Sequence, residues 1–243
     1  MYRGLSVSVV IPAYNEERFI AGTLRQIPEF VDDVVVVDDS SKDRTVPTAK
    51  ETGDARVRVV RHTTNRGVGG AILTGYREVL TNGAHVAVVM AGDGQMDPED
   101  LPGLLDPIAE GRAEYVKGNR FLHHKTFLNM PAVRLLGNLG LSFLTRLSSG
   151  YRHIMDSQCG YTAVTTGALR RLDFSRVYPR YGFPNDFLAH LHTLGCEVDQ
   201  VEVRAIYEGQ NSGINPLLSI APLSYVLIRS LLMRLRRETR SAS

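Results

Sequence analysis

Side chains that can coordinate a divalent cation are concentrated in residues 92–98, which read GDGQMDP. A carboxylate, an amide and a second carboxylate occur there at alternate positions, and Mg²⁺ and Mn²⁺ accept oxygen ligands of these kinds. Asp97 directly precedes a proline, which favours a different role for it as the N-cap of the following helix. The segment therefore predicts a metal site on Asp93 and Gln95 that would bridge a diphosphate.

Two earlier segments carry side chains suited to a nucleoside. Residues 11–17 (IPAYNEE) offer a tyrosine ring for stacking and place Glu16 at a predicted helix N-terminus. Residues 37–43 (VDDSSKD) offer an acidic pair, Asp38 and Asp39, that can accept hydrogen bonds from base N–H and ribose hydroxyl groups. The alternative is that this pair is solvated and that a neighbouring side chain caps the next helix.

A glycine-rich segment, residues 65–71 (NRGVGGA), leads into a predicted helix and lets the backbone approach a ligand closely. It does not match the dinucleotide-binding fingerprint, because Ile72 stands where a glycine is needed and because the segment follows the third predicted strand. The remaining alternatives are a ligand-binding turn and a tight turn without a ligand.

The elements that must position these segments alternate in type along the first half of the chain, with short β-branched runs between amphipathic stretches. This order predicts an α/β fold, Rossmann-like, with a mostly parallel sheet and helices on both faces. Ligands bind beyond the carboxyl ends of the strands in such sheets. The predicted strands are Val7–Ile11, Val34–Asp38, Val57–Arg61 and Val86–Met90, and the predicted helices span 16–27, 43–52 and 68–82.

The second half predicts a less regular order. The expected elements are a helix from Pro98 to about Glu110, a strand over Glu114–Gly118, a Leu-rich stretch over 128–149, a strand over Tyr161–Thr165, a helix from Pro184 to Gly195 and a strand over Glu197–Ile206.

The composition limits the classes of binding partner and the cellular compartments that we expect for this protein. The 243 residues carry a formal net charge of only +2, which argues against nucleic acid as a partner. The two cysteines show no CxxC spacing, so we expect a reducing, cytoplasmic compartment. No uninterrupted run of 18 apolar residues occurs, and we expect no membrane span. The seven histidines show no metal-binding pattern, so surface or packing roles are expected for them.

Taken together, the four segments in this order and spacing resemble glycosyltransferase family 2, and within it the polyprenyl-phosphate sugar synthases. The resemblance covers Val7 to about Asn215. It implies an inverting GT-A enzyme with a UDP- or GDP-sugar donor, a divalent metal cofactor and a polyprenyl (dolichyl or undecaprenyl) phosphate acceptor. The residues that we assign to the donor are Pro12, Ala13, Tyr14, Glu16, Asp38, Asp39, Asn65, Gly67, Gly92 and Asp93.

One position departs from the family pattern, which is usually Asp-x-Asp-x-Gln. Ala91 replaces the first aspartate of that pattern. A site with one fewer carboxylate should bind the free metal more weakly and should rely on the donor diphosphate to complete the coordination shell.

The predicted acceptor site also rests on the resemblance. Arg120, in residues 117–121 (KGNRF), and Arg134 resemble two phosphate-binding arginines, although a surface charge is the alternative for Arg134. Asp156 and Asp186 are the candidate catalytic carboxylates; helix-dipole stabilisation is the alternative for Asp186. A phosphate monoester has a second pKa of about 6 and is largely a dianion at neutral pH, so little general-base catalysis is required.

A polyprenyl acceptor requires access to a bilayer. Segments 128–149 and 216–237 are the candidates for contact with the membrane. We divide the chain into a catalytic domain (1–215) and an amphipathic basic tail (216–243). We expect the tail to lie peripherally on the cytoplasmic face of a membrane. The alternatives for the tail are a core helix or a helix buried in a homo-oligomer. Two other functions stay open: a family 2 enzyme with a soluble sugar or glycan acceptor, and a nucleotide-sugar-binding pseudoenzyme.

Overall fold

The computed structural model describes residues 1–123, 132–204, 206 and 216–241. Within these residues the strands are β1 Val7–Ala13, β2 Asp33–Asp38, β3 Val57–Arg61, β4 Val86–Val89, β5 Tyr115–Asn119, β6 Thr162–Thr165 and β7 Val198–Glu202. They form one sheet in the order β3-β2-β1-β4-β6-β5-β7. The α/β architecture that the sequence predicts is confirmed.

Strand direction decides where the loops meet. β1 pairs in parallel with β2 and β4, β2 with β3, and β5 with β7, whereas β6 is antiparallel to both β4 and β5. The carboxyl ends of β1 to β5 therefore lie along one edge of the sheet, and β6 starts from that same edge. As a result, the segment that precedes β6 is brought to the loops that follow β1, β2 and β4.

The helices cover both faces of the sheet. They are α1 Ile20–Arg25, α2 Thr45–Glu51, α3 Val68–Asn82, α4 Leu101–Ala109, α5 Ala132–Ser149, α6 Thr166–Arg171, α7 Phe183–Leu194 and α8 Pro216–Ser241. Alternate side chains of β1 belong to two different cores: Val10 packs with α3 and α7, and Val9 and Ile11 pack with α1 and α4. This alternation is expected of a strand that is buried on both faces.

Several element boundaries differ from those predicted. α1 begins at Ile20 and not at position 16, because residues 17–19 form turns after Asn15, whose conformation is left-handed (φ 59°). The last strand ends at Glu202 and not at Ile206, since the backbone N–H of Arg204 donates to Asp100 Oδ2 instead of to a neighbouring strand. α6 was not predicted, because six residues are too few to establish a helical period.

The last helix, α8, packs against α5 and α7. Among the α8 side chains that the structure describes, Val226 and Ser230 are fully buried, whereas several apolar side chains are exposed. None of the helices in the described part of the chain is both long enough and apolar enough to cross a bilayer.

Candidate active site

The loops that follow β1 and β2 are joined by hydrogen bonds between side chains and backbone. Ser41 Oγ accepts from the backbone N–H of Asn15 at 2.9 Å, and Asn15 Oδ1 accepts from the backbone N–H of Lys42 at 2.8 Å. The backbone N–H of Glu16 donates to Thr45 Oγ1 at 2.8 Å. The two segments predicted to hold the nucleoside are thereby fixed beside each other.

Within these loops, the Tyr14 side chain is exposed, with 44% of its surface accessible. Its ring is available for stacking on a planar base. Ala13, by contrast, is buried at the end of β1, and Pro12 is half-buried beside it.

Asp38 and Asp39 are both buried, so the alternative that this pair is solvated is wrong. Asp38 accepts from the backbone N–H of Ser41 at 3.3 Å and pairs with Arg61 at 3.3 Å. Asp39 accepts from the backbone N–H groups of Arg66 and Gly67, both at 2.8 Å. Asp39 therefore anchors the glycine-rich loop to the end of β2.

The structure adds His62 to this anchor. His62 Nδ1 lies 2.7 Å from Asp39 Oδ1, and its Nε2 lies 2.9 Å from Thr74 Oγ1 of α3. The expected packing role for His62 is correct in that the ring is buried, but the sequence does not reveal that it bonds to the acidic pair. A histidine just after β3 has no local pattern that would show this contact.

The glycine-rich loop requires its glycines for steric reasons. Gly67 has a φ of +84°, and a Cβ there would lie 3.0 Å from both the Pro179 carbonyl oxygen and Arg180 Cγ. Asn65 donates to the Asp39 carbonyl oxygen at 3.3 Å. Both residues assigned to the donor from this loop thus lie beside the end of β2.

The predicted metal segment follows β4. Asp93 Oδ1 accepts from the backbone N–H of Gln95 at 3.0 Å, and Gly92 packs against Ile20 and Ala13. Asp97 accepts from the backbone N–H of Glu99, which confirms its predicted role as an N-cap. The remaining metal candidates of the segment are Asp93 and Gln95.

Glu16 and Asp93 are close enough to influence each other electrostatically. Burial, reinforced by the negative charges of Asp93 and then Asp43, raises the pKa of Glu16 to about 7. Two carboxylates that repel each other favour a bound cation, and carboxylate oxygens are ligands of divalent metals. No group of three or more His, Cys, Asp or Glu residues arranged to hold a metal occurs among the described residues.

Asp156 and Arg120, both predicted for the acceptor site, form a two-point ion pair. Arg120 Nε lies 2.7 Å from Oδ2 of the aspartate, and Nη2 lies 2.9 Å from Oδ1. The backbone N–H of Arg120 also donates to Oδ2 at 3.2 Å. The Asp156 side chain is wholly buried, whereas 12% of the arginine side chain is exposed.

A buried lysine lies close to this pair. Lys117 of β5 donates a hydrogen bond from Nζ to the Cys159 carbonyl oxygen. Burial lowers the pKa of Lys117, although the negative charge of Asp156 opposes the shift. Lys117 therefore braces the segment that carries Asp156 from inside the sheet.

Asp186 has a different set of partners from Asp156. It lies in the first turn of α7, is wholly buried, and accepts from the backbone N–H of Tyr178 at 2.8 Å. His190 Nε2 lies 3.4 Å from its Oδ2, and Arg229 Nη1 of α8 lies 3.4 Å from its Oδ1. These contacts join three parts of the chain around the buried carboxylate. The side chain of Arg134 lies outside the described residues.

The family of this chain follows from its similarity to known proteins. The model of glycosyl transferase family 2 matches residues 8–173, which is more than half of the chain. The chain belongs to glycosyl transferase family 2. It is therefore a glycosyltransferase, and the predicted family is confirmed.

Curated relatives in glycosyl transferase family 2 include lipid-phosphate glycosyltransferases. The chain is 34% identical to the UDP-N-acetylglucosamine–dolichyl-phosphate N-acetylglucosaminyltransferase of Methanococcus voltae, over 83% of this chain and 86% of the relative. It is 33% identical to the undecaprenyl-phosphate mannosyltransferase of Micrococcus luteus, over 86% of this chain and 88% of the relative.

Among solved structures, glucosyl-3-phosphoglycerate synthase of Mycobacterium tuberculosis, in complex with Mn²⁺, UDP and glucosyl-3-phosphoglycerate, superposes with a TM-score of 0.70. The match covers 95% of this chain and 80% of that chain at 23% sequence identity. This likeness supports the GT-A-like fold of the family 2 domain.

Proposed function

We propose that this family 2 enzyme transfers a hexose or N-acetylhexosamine from a UDP- or GDP-sugar to a polyprenyl phosphate, with inversion at the anomeric carbon. The relatives from Methanococcus voltae and Micrococcus luteus, which carry dolichyl-phosphate and undecaprenyl-phosphate in their names, support this acceptor class. An acceptor phosphate oxygen forms the new bond to the anomeric carbon, and the bond to the nucleoside diphosphate breaks.

The observation that carries the proposal is the burial of the two candidate carboxylates and their pairing with arginines. Asp156 and Asp186 are both wholly buried, and each is paired with an arginine. A sugar hydroxyl acceptor needs an accessible general base, which neither of these carboxylates provides. A phosphate acceptor is already anionic at neutral pH, so it requires positioning and charge balance instead.

In the proposed donor site the nucleoside lies over the joined β1 and β2 loops. Tyr14 stacks on the base, and Pro12, Ala13 and Glu16 line the loop beside it. Asp38 and Asp39 support the donor site indirectly, because their carboxylates accept hydrogen bonds that hold Ser41 and Gly67 in place. Asn65, Gly67 and Gly92 bring backbone close to the donor.

Asp93 and Gln95 are the proposed ligands of Mg²⁺ or Mn²⁺. When bound there, the cation supplies positive charge to the diphosphate leaving group. The closeness of Asp93 to Glu16 supports a cation at this place. Arg120 and Arg134 are the proposed contacts of the acceptor phosphate, and Asp156 orients Arg120 through the two-point pair.

Two helices support a peripheral association with a membrane. On α8 the exposed side chains of Tyr225, Ile228, Leu232 and Leu235 recur at intervals of three and four residues, which places them on one face. Exposed apolar side chains on α5, against which α8 packs, follow a similar spacing: Leu136, Leu139, Phe143 and Leu147. We therefore propose that both helices contact the cytoplasmic face of an anionic bilayer.

The decisive experiment is a transfer assay with the full chain, undecaprenyl phosphate and Mn²⁺. UDP-glucose, UDP-N-acetylglucosamine and GDP-mannose are supplied separately, and lipid-linked sugar is measured after organic extraction. We expect one donor to give an extractable product of inverted configuration. Transfer to a soluble sugar without any lipid product would instead establish the soluble-acceptor function. Nucleotide binding without turnover of any donor would establish a pseudoenzyme.

A further inference from the structure

A second pocket begins beside the glycine-rich loop, and Asn65 is the one proposed donor residue in its lining. It has a volume of about 500 Å³ and is formed between α3 and the segment 174–180. Its wall on α3 consists of Gly70, Leu73, Thr74 and Arg77, which are spaced three to four residues apart and so share one face of the helix. A pocket of this volume accommodates a small molecule of nucleotide or sugar-phosphate size.

The pocket and the metal segment lie on different faces of the sheet. α3 packs in the core that contains Val10 of β1, whereas the metal segment borders the other core, where Gly92 approaches Ile11 and Ile20. Asn65 lines the end of the pocket that is nearest to the carboxyl edge of the strands and to the donor loops. From there the pocket extends along α3 for about two helical turns, from Gly70 to Arg77, away from the carboxyl edge of the strands.

Three arginines surround this pocket, and its lining contains neither aspartate nor glutamate. Arg77 lies 5.2 Å above the ring of Phe174, and Arg180 Nη2 donates to the Asn65 carbonyl oxygen at 3.2 Å. None of Arg66, Arg77 and Arg180 pairs with a carboxylate in the described part of the chain. Three like charges around one concavity repel one another, and a bound anion removes that repulsion.

The walls are held in place by contacts that do not involve a ligand. The backbone N–H of Gly70 donates to the Pro179 carbonyl oxygen at 2.8 Å, which joins α3 to the opposite wall. Thr74, in the α3 wall, lies 2.9 Å from His62 Nε2. Because His62 also bonds to Asp39, the pocket is connected by direct hydrogen bonds to the end of β2. The pocket is thus preformed, which lowers the conformational cost of binding.

From the cavity, the three arginines and the fixed walls, we infer that this pocket is a second anion site. It takes a phosphate-bearing ligand independently of the nucleotide sugar. The phosphate belongs either to a soluble molecule or to a lipid headgroup, and both would use the same guanidinium contacts.

Pyrophosphate is the probe for the first test. Binding to the full chain is measured by isothermal titration calorimetry with UDP at saturation, so that the donor site is filled, and without a divalent cation, because pyrophosphate chelates Mn²⁺. We expect saturable binding that falls at least tenfold in the Arg77→Gln, Arg180→Gln double variant, because two charge-assisted hydrogen bonds to the anion are lost. Arg25→Gln, an exposed arginine at the end of α1 on the opposite face, is the matched control and should bind as the wild type does.

Two results would overturn the inference: no saturable pyrophosphate binding once UDP is present, or unchanged affinity in the double variant. Thermal unfolding of the double variant verifies that it is folded. Displacement of pyrophosphate by vesicles of phosphatidylcholine with phosphatidic acid identifies a lipid headgroup as the ligand, and lack of displacement identifies a soluble one. If UDP itself fails to bind, the proposed function fails, but the comparison of the two variants without UDP still tests this pocket.

Discussion

Asp39 and His62 share a buried hydrogen bond of 2.7 Å that connects the end of β2 to the start of the glycine-rich loop. The same carboxylate accepts the backbone N–H groups of Arg66 and Gly67. The conformation of this loop therefore depends on a histidine that lies outside the motifs of the family.

Replacing His62 by alanine should destabilise the protein by about 1–3 kcal/mol, because it leaves the buried Asp39 carboxylate with one donor fewer. Affinity for UDP or GDP should fall as well, since the loop beside the donor loses its support. Urea unfolding and calorimetry measure the two effects. The control is His85→Ala, an exposed histidine at the other end of β4, which should lose less stability and keep its nucleotide affinity. Equal losses in both variants would show that His62 has no special role.

Asp93→Asn should remove the metal-dependent part of the stabilisation by UDP or GDP, because an amide is a poorer ligand for a hard cation. A ligand that binds the native state raises the unfolding temperature by mass action, so a thermal-shift series with and without Mn²⁺ gives the answer. Asp97→Asn is the control: Asp97 caps a helix and pairs with Arg204, and asparagine is also a good N-cap. A metal response that survives in the Asp93 variant would place the ion elsewhere.

Arg120→Ala should lower the free energy of unfolding by about 3–5 kcal/mol, because it leaves the buried Asp156 without its partner. Arg112→Ala is the comparison, since Arg112 pairs with Glu110 and Asp199 at the surface and such pairs contribute about 1 kcal/mol or less. Denaturant unfolding measures both. Similar losses for the two variants would contradict the structural importance of the Arg120 pair.

Arg120→Lys addresses the catalytic proposal separately. It keeps the positive charge but cannot reproduce the two-point geometry. We expect the rate of transfer to polyprenyl phosphate to fall at least tenfold while the affinity for UDP or GDP stays within twofold, since about 1.4 kcal/mol corresponds to a factor of ten. An equal loss of nucleotide affinity would assign Arg120 to the donor diphosphate.

The raised pKa of Glu16 predicts a pH dependence of stability. The folded protein holds the Glu16 proton up to a pH of about 7, whereas the unfolded chain releases it near the ordinary glutamate pKa of 4.5. The resulting stabilisation is complete below the unfolded value and is lost as the pH rises through the folded value. In metal-free thermal unfolding, Glu16→Gln should therefore lose less stability than the wild type between these two pH values. The exposed Glu99→Gln should follow the wild type; a Glu16 variant that does the same would refute the assignment.

The exposed apolar face of α8 predicts how the protein binds vesicles. Ile228→Ser combined with Leu232→Ser should weaken binding to anionic vesicles at least tenfold. Burying each of these apolar side chains in the bilayer contributes about 1.5–3 kcal/mol to the free energy of binding, and the serine variants lose that contribution. Val68→Ser is the control, since Val68 and Leu232 are each 50% exposed and Val68 lies at the start of α3. Co-sedimentation measures binding, and UDP affinity should be unchanged. Equal binding by all three proteins would remove the support for a membrane-facing α8.

The sequence predicts the first half of the fold well because hydrophobic runs and turn residues specify buried strands locally. The strands around Val9, Val35 and Val88 and the cap at Asp97 are examples. Contacts between distant parts of the chain are not encoded in this way. His62 bonds to Asp39 across 23 positions, and Arg229 reaches Asp186 from the last helix, so neither pair has a local signal. The sequence predicts that Asp156 and Arg120 belong to one site, but only the structure shows that they form an ion pair.

The pairing of Asp186 with Arg229 also has a consequence for biosynthesis. α7 leaves the ribosome well before α8, and until α8 docks, the Asp186 carboxylate lacks the guanidinium that lies 3.4 Å from it in the finished fold. Without that guanidinium only the Tyr178 N–H and His190, of the residues that the structure describes, contact the carboxylate, so the packing of α7 is less stable while α8 is still inside the exit tunnel. We expect native packing around α7 to be among the last events in the maturation of a nascent chain. Truncation before α8 should then yield a product that cellular quality control recognises, even though the donor loops lie earlier in the sequence.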